Sequence, residues 1–175
     1  MASLTLPISI SEVNSLSDEQ FESVFANVIE LWPNAAKEVK KQRPFQNVSV
    51  LCEAFQTYLE DIKVGDKLTI LKLHPDLAGR LAARGQLTAE SAGEQRAAGL
   101  EELTPEQMKL MDESNQRYKA KFDFPFIICA RENKVQSIIE GLQRRYNNNR
   151  EQEITTGINE VKKICKLRIL DFVKN

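Results

Sequence analysis

Apolar residues recur with a helical period along almost the whole chain, and one short run departs from it. Phe124-Pro125-Phe126-Ile127-Ile128-Cys129 has strand-like composition, but no second run offers it a partner. A lone short strand cannot make a sheet, so this segment is expected as an extended buried loop in an all-α fold. Elsewhere the spacing is helical. Ser17-x-x-Gln20 forms a capping box ahead of Phe21, Val24, Phe25, Val28 and Ile29, and Pro33 is expected to stop that helix. Val48, Leu51, Phe55, Tyr58 and Leu59 repeat the pattern, and Gly65-Asp66 opens a short helix running toward His74. Thr104-Pro105-Glu106-Gln107 joins an N-cap, a first-turn proline and a glutamine at the third helical position, ahead of Met108, Met111 and Tyr118. Both methionines are expected in the core.

Val135, Ile138, Ile139, Leu142 and Tyr146 form a further stripe. After the polar connector Tyr146 to Arg150, Ile154, Ile158, Val161, Cys165 and Phe172 run down a long final helix. The expectation is a single compact domain, residues 1–175, of about eight helices. A chain of 175 residues buries enough surface to need neither disulfides nor a structural metal.

Charge and cysteine usage narrow the function classes. With 24 basic and 25 acidic side chains the net charge is −1, which removes the electrostatic attraction behind nucleic-acid and anionic-membrane binding. Neither partner is expected. Cys52, Cys129 and Cys165 are far apart and form no C-x-x-C, which suits a reducing compartment. No secretory signal or apolar stretch of spanning length is read, and Val173-Lys174-Asn175 is not a Ser-Lys-Leu address. The expected location is intracellular, in the cytoplasm or the peroxisome.

Three places carry residues suited to chemistry. His74, the sole histidine, sits directly before Pro75, where a helix must break. Imidazole there either satisfies its nitrogens structurally or is aimed into a cleft for proton transfer. Thr88 caps a helix on which Ser91 and Gln95 share a face bordered by Glu94, among Ala89, Ala92, Gly93, Ala97, Ala98 and Gly99. Such small residues admit either a ligand or a tightly packed neighbour. Arg168 interrupts the apolar stripe of the last helix, seven residues after Val161. It should meet Glu94, another carboxylate or an anionic ligand, unless its stem snorkels to the surface. No Gly-rich phosphate loop, His-Glu-x-x-His or Gly-x-Ser-x-Gly occurs, and one histidine without clustered acids makes a catalytic metal unexpected.

Read together, three blocks resemble a known family. His74-Pro75-Asp76-Leu77-Ala78-Gly79, Leu87-Thr88-Ala89-Glu90-Ser91-Ala92-Gly93-Glu94-Gln95 with Ala98-Gly99-Leu100, and Phe124 through Arg131 are similar to the signature blocks of 2-oxo-4-hydroxy-4-carboxy-5-ureidoimidazoline (OHCU) decarboxylases. The order and spacing also fit, and the resemblance extends from the Phe21 helix through Arg43-Pro44-Phe45 to Arg168. It implies an all-helical, cofactor-free homodimer that removes carbon dioxide from OHCU to give (S)-allantoin, the last step of urate degradation. By motif, it implies His74, Glu94 and Arg168 as catalytic residues. Pro75, Ser91, Ala92, Gly93, Glu94, Gln95, Phe126, Ile127, Ile128, Cys129 and Ala130 would bind the substrate. The segment Leu167-Arg168-Ile169 departs from the family's commoner Arg-Leu. A different reading of the same blocks is a catalytically inactive helical module for interaction or dimerisation.

Overall fold

The computed structural model describes residues 4–175. In chain order its elements are β1 (Ile8–Ser9), α1 (Ile10–Ser15), α2 (Asp18–Val24), α3 (Asn34–Val39), α4 (Val48–Asp61), α5 (Val64–Leu73) and α6 (Arg80–Ala83). There follow α7 (Ala89–Ala97), α8 (Pro105–Phe122), α9 (Val135–Arg145), α10 (Arg150–Phe172) and β2 (Val173–Lys174). The all-α expectation holds, with ten α-helices among the described residues rather than about eight. Three of them have no counterpart among the apolar stripes and are short: α1, α3 and α6 have six, six and four residues, too few to show a helical period in sequence.

The described chain falls into two compact units, one running to Lys63 and resuming at Lys162–Asn175, the other Val64–Val161. In the first, Phe21, Phe25, Phe45 and Phe55 are all buried, with ring centroids 4.6 Å apart for Phe21 and Phe25 and 5.8 Å for Phe25 and Phe55. Such tilted aromatic pairs add to the burial of their large apolar surface. Asn14 pairs with both backbone groups of Phe45, donating at 2.9 Å and accepting at 2.8 Å. The two short strands pair in parallel, Ile8 with Val173 and Ser9 with Lys174. The side chain of Asn175 then accepts the Val48 N–H at 2.9 Å, satisfying a donor in the first turn of α4.

The Ser17 capping box forms, with Gln20 N–H to Ser17 Oγ at 3.1 Å and Ser17 N–H to Gln20 Oε1 at 3.0 Å. Its helix ends at Val24, however, well before Pro33. Past Val24 the chain turns without continuing the helical bonds, Val28 N–H reaching only to the Phe25 carbonyl at 3.4 Å. Leu31 N–H, which would close the helical bond to the Asn27 carbonyl, instead goes to the Asn27 side chain at 2.8 Å, and Leu31 adopts φ 54°. Val28 and Ile29 are buried all the same, so the apolar spacing reports burial and not helix length.

In the second unit the core gathers around Tyr118, Phe122, Phe124 and Phe126, with the Tyr118 ring tilted against Phe122 at 4.5 Å and edge-on to Phe126 at 5.4 Å. α8 starts at its expected Thr104 capping box and ends at Asp123 in the left-handed conformation. Beyond that turn residues 124–129 run without regular structure and are buried except at Ile128, which is the extended loop anticipated from sequence. Met111 is buried as expected, whereas Met108, one turn nearer the start of α8, is 45% exposed. Among the described residues no helix is long and apolar enough to cross a membrane.

Candidate active site

His74 follows the last turn of α5, where its own N–H still bonds to the Leu71 carbonyl and Pro75 prevents a further turn. The residue is 9% exposed, and its Nδ1 lies 2.8 Å from the Ile70 carbonyl oxygen. A carbonyl can only accept, so Nδ1 carries the proton and Nε2 is the basic nitrogen of the neutral ring. The helix end that holds His74 sits close to α10: a Cβ on Gly157 would stand 3.0 Å from Leu71 Cδ2.

The segment after His74 is fixed by side chains from two other helices. Gln95 of α7 is 4% exposed, accepts the Ala78 N–H at 2.9 Å and donates to the Asp76 carbonyl at 3.3 Å. Asn115 of α8 donates to the Leu77 carbonyl at 2.9 Å. Lys119 reaches the Asp76 carboxylate at 3.3 Å. Gly79 permits the tight return, because a Cβ there would lie 2.6 Å from that of Asp76. Ala78 takes φ 54° in the same turn.

Thr88 caps α7 as anticipated, accepting the Ser91 N–H at 3.3 Å. Ser91 and Gln95 are buried, Ala92 and Glu94 are partly exposed, and Gly93 faces solvent. The helix packs against the 3-10 turn Ala130–Glu132 that ends the extended loop. Lys134 spans the same junction by donating to the Ala97 carbonyl at 3.1 Å. Within the second unit the three sequence blocks therefore meet: α7 clamps the His74 turn by one side chain and abuts the end of the loop.

That loop is tied at two backbone groups. Arg145 Nη1 donates to the Ile127 carbonyl at 2.7 Å, and Cys129 N–H donates to Glu160 Oε1 at 3.1 Å. The Cys129 thiol is 1% exposed, and burial, followed by the charge of Glu132, pushes its pKa up to about 11. It is a neutral group near pH 7 and no nucleophile. Burial likewise raises the Cys52 and Cys165 thiols.

Arg168 belongs to the first unit, and it does not snorkel. At 2% exposure its Nη1 donates to Glu30 Oε1 at 3.0 Å and to the Asn27 carbonyl at 2.8 Å, while Asn27 Nδ2 donates to the same Glu30 oxygen at 3.1 Å. Of the anticipated carboxylate partners, Glu30 is the one found here. The Asn27 carbonyl is available because the α2 helix has already ended.

Sequence reasoning missed Glu30, Asn115, Arg145, Glu153 and Glu160, all buried. Asn115 lies on the apolar spacing Met111, Asn115, Tyr118, Phe122, and Arg145 on Ile138, Leu142, Arg145. The criterion that singled out Arg168, a polar residue at an apolar register, would have found both. Among the described residues no group of three or more His, Cys, Asp or Glu side chains could hold a metal ion.

The family model for OHCU decarboxylase matches residues 14–170. The Xenopus laevis 2-oxo-4-hydroxy-4-carboxy-5-ureidoimidazoline decarboxylase is 41% identical over 168 residues, spanning 96% of each chain. Among solved structures, an (S)-allantoin synthase superposes with a TM-score of 0.76 at 21% identity, covering 94% of this chain, which spans 53% of that one. An OHCU decarboxylase crystallised in the presence of (S)-allantoin gives a TM-score of 0.67 at 22% identity, covering 88% of this chain and 96% of its own. At those identities the structures speak for the fold. The family match and the frog relative decide the membership: this chain belongs to the OHCU decarboxylase family.

Proposed function

We propose that the protein decarboxylates OHCU to (S)-allantoin and carbon dioxide. Family membership supports the reaction, and the observation that carries the mechanism is His74, buried with Nδ1 on a carbonyl, which makes Nε2 the basic nitrogen. In the substrate one ring carbon bears hydroxyl and carboxylate, and its neighbour bears the ureido group and a ring C=N. When the bond to the carboxylate breaks, its electron pair forms a double bond to the neighbouring carbon. The C=N pair moves to nitrogen, which takes a proton. The resulting enol then gains a proton at the ureido-bearing carbon and loses its hydroxyl proton, leaving the C=O of allantoin. The ring supplies its own electron sink, so we propose that no cofactor is needed.

His74 is proposed to handle the hydroxyl proton and, delivering from one fixed side, to set the S configuration. Glu94 and Arg168 are proposed as the other catalytic residues, on the strength of the sequence blocks. Pro75, Ser91 to Gln95 and Phe126 to Ala130 are proposed to line the substrate. Support for Gln95 is indirect: its amide holds the turn that follows His74. We further propose one functional domain over residues 1–175, supported by a family match that crosses both units, acting as a homodimer in the cytoplasm or the peroxisome.

The test is to add purified protein to freshly generated OHCU and follow (S)-allantoin by circular dichroism. His74→Asn should lower turnover by roughly 100-fold or more while the protein remains folded. Activity should survive dialysis against chelator, and light scattering should give twice the chain mass. A folded protein that leaves OHCU decay at its spontaneous rate would instead favour the inactive helical module.

A further inference from the structure

The second unit contains a buried charged network that the proposed chemistry does not use. Arg145 is 6% exposed and Glu153 fully buried, joined Nε to Oε1 at 2.9 Å. The Tyr118 hydroxyl donates to the same Glu153 oxygen, and Asn148 Nδ2 donates to the other at 2.9 Å. The Arg145 guanidinium also lies 4.4 Å from the centroid of Phe126, and its Nη2 is buried without a hydrogen-bond partner. Burying such a pair with a donor unused is costly, and an apolar core of the same volume would be at least as stable. What the arrangement does provide is direction, through the 2.7 Å bond from Nη1 to the Ile127 carbonyl.

A trans peptide points its C=O and N–H to opposite sides. With the Ile127 carbonyl turned toward Arg145, the Ile128 N–H must point away from it. With the Cys129 N–H turned toward Glu160, the Ile128 carbonyl must likewise point away from Glu160. Ile128 is also the only residue from Phe124 to Ala130 that is not buried. The half-buried point of the loop therefore has both flanking peptides held by buried charges of opposite sign.

We infer that Arg145, braced by Glu153 and Tyr118, is a positioning residue that aims the Ile128 N–H at a substrate carbonyl or carboxylate oxygen, with Glu160 holding the next peptide. This rests on the proposal that residues 126–130 bind the substrate. Such a donor acts in the ground state as well as the transition state, so its misdirection should raise KM more than it lowers kcat.

The test combines amide hydrogen exchange over residues 126–130, read without substrate, with steady-state kinetics and calorimetric binding of (S)-allantoin. Arg145→Met with Glu153→Gln removes both charges together and avoids leaving one buried alone. Tyr118→Phe loosens the brace without touching Arg145, and carries the test if the double variant does not fold. The double variant should exchange faster at 126–130, raise KM about tenfold, weaken allantoin to a similar degree and keep kcat within about threefold. Tyr118→Phe should fall between it and the native protein. Arg145→Lys, which keeps one donor for Ile127, should recover part of the KM. Unchanged exchange at 126–130, or faster exchange spread evenly over the chain, would overturn the inference. Locally faster exchange with native KM and allantoin affinity would also overturn it, by showing that the peptide's direction does not matter to the ligand. If the native protein has no activity on OHCU yet allantoin binding still follows loop exchange, the positioning role is supported and the proposed reaction fails.

Discussion

Arg168 and Glu30 lie 3.0 Å apart, Nη1 to Oε1, and each is 2% exposed. They come from opposite ends of the chain, and the pair is completed by Asn27, which supplies a carbonyl to the arginine and an amide to the glutamate. Within the first unit, this contact ties the last helix to the chain that follows α2. A buried pair of this kind is a weak source of net stability but is expensive to break from one side, since the remaining charge is left without compensation.

Glu30→Gln should therefore destabilise the protein by about 3 kcal/mol or more, although it preserves shape and a carbonyl acceptor. Urea denaturation read by circular dichroism measures this directly. A change below about 1 kcal/mol, the range of exposed pairs, would mean that the two charges are not energetically coupled.

Arg168→Lys separates bracing from catalysis. Lysine keeps the charge but loses the planar fork, and its ammonium resists dehydration more strongly than guanidinium. If Arg168 also contacts substrate, kcat/KM should fall about tenfold, which is roughly 1.4 kcal/mol of transition-state stabilisation, beyond any loss of melting temperature. A lower melting temperature with native kcat/KM would assign Arg168 to bracing alone, and the catalytic role taken from the sequence resemblance would be lost.

How legible this was in the sequence depends on the interaction range. Capping boxes at Ser17 and Thr104 were readable because they are satisfied within four residues, and both form. His74 and Gln95 were readable as unusual residues at element ends or faces, but not as two parts of one clamp across α5 and α7. The end of α2 was not readable: the spacing of Phe25, Val28 and Ile29 suits a helix, yet the helix has ended at Val24 and the Leu31 N–H beyond it is taken by the Asn27 side chain. Glu30 and Glu153 were missed because their partners, Arg168 and Arg145, lie on other elements, and an acid in sequence looks like solvated surface.

Cys129 yields a pH prediction. Its folded pKa, about 11, lies above the ordinary thiol value, so the folded protein favours the neutral form. The contribution to stability is complete below the unfolded pKa of about 9 and is lost as pH rises through about 11. Between these values unfolding should become easier by about 3 kcal/mol, and Cys129→Ala should flatten that part of the stability profile. Iodoacetamide at pH 7.5 should leave Cys129 unmodified in the folded state. Rapid alkylation there by peptide mapping would show an ionised, accessible thiol, contrary to its burial.

Gly79→Ala tests whether the turn after His74 serves catalysis. The added Cβ would meet that of Asp76 at 2.6 Å, and neither atom is the far end of a flexible side chain, so the backbone has to move. The segment it would move is the one Gln95 and Asn115 hold, two residues of which lie between His74 and the Leu77 carbonyl. Overpacking of this kind costs about 1–3 kcal/mol of stability. If the clamp also orients His74, kcat should fall by at least about tenfold with KM less affected, because a displaced base impairs proton transfer more than binding. Pairing the change with Gln95→Leu sharpens the test. Two substitutions that release the same turn should cost less together than the sum of their separate effects on kcat, whereas independent packing defects should add.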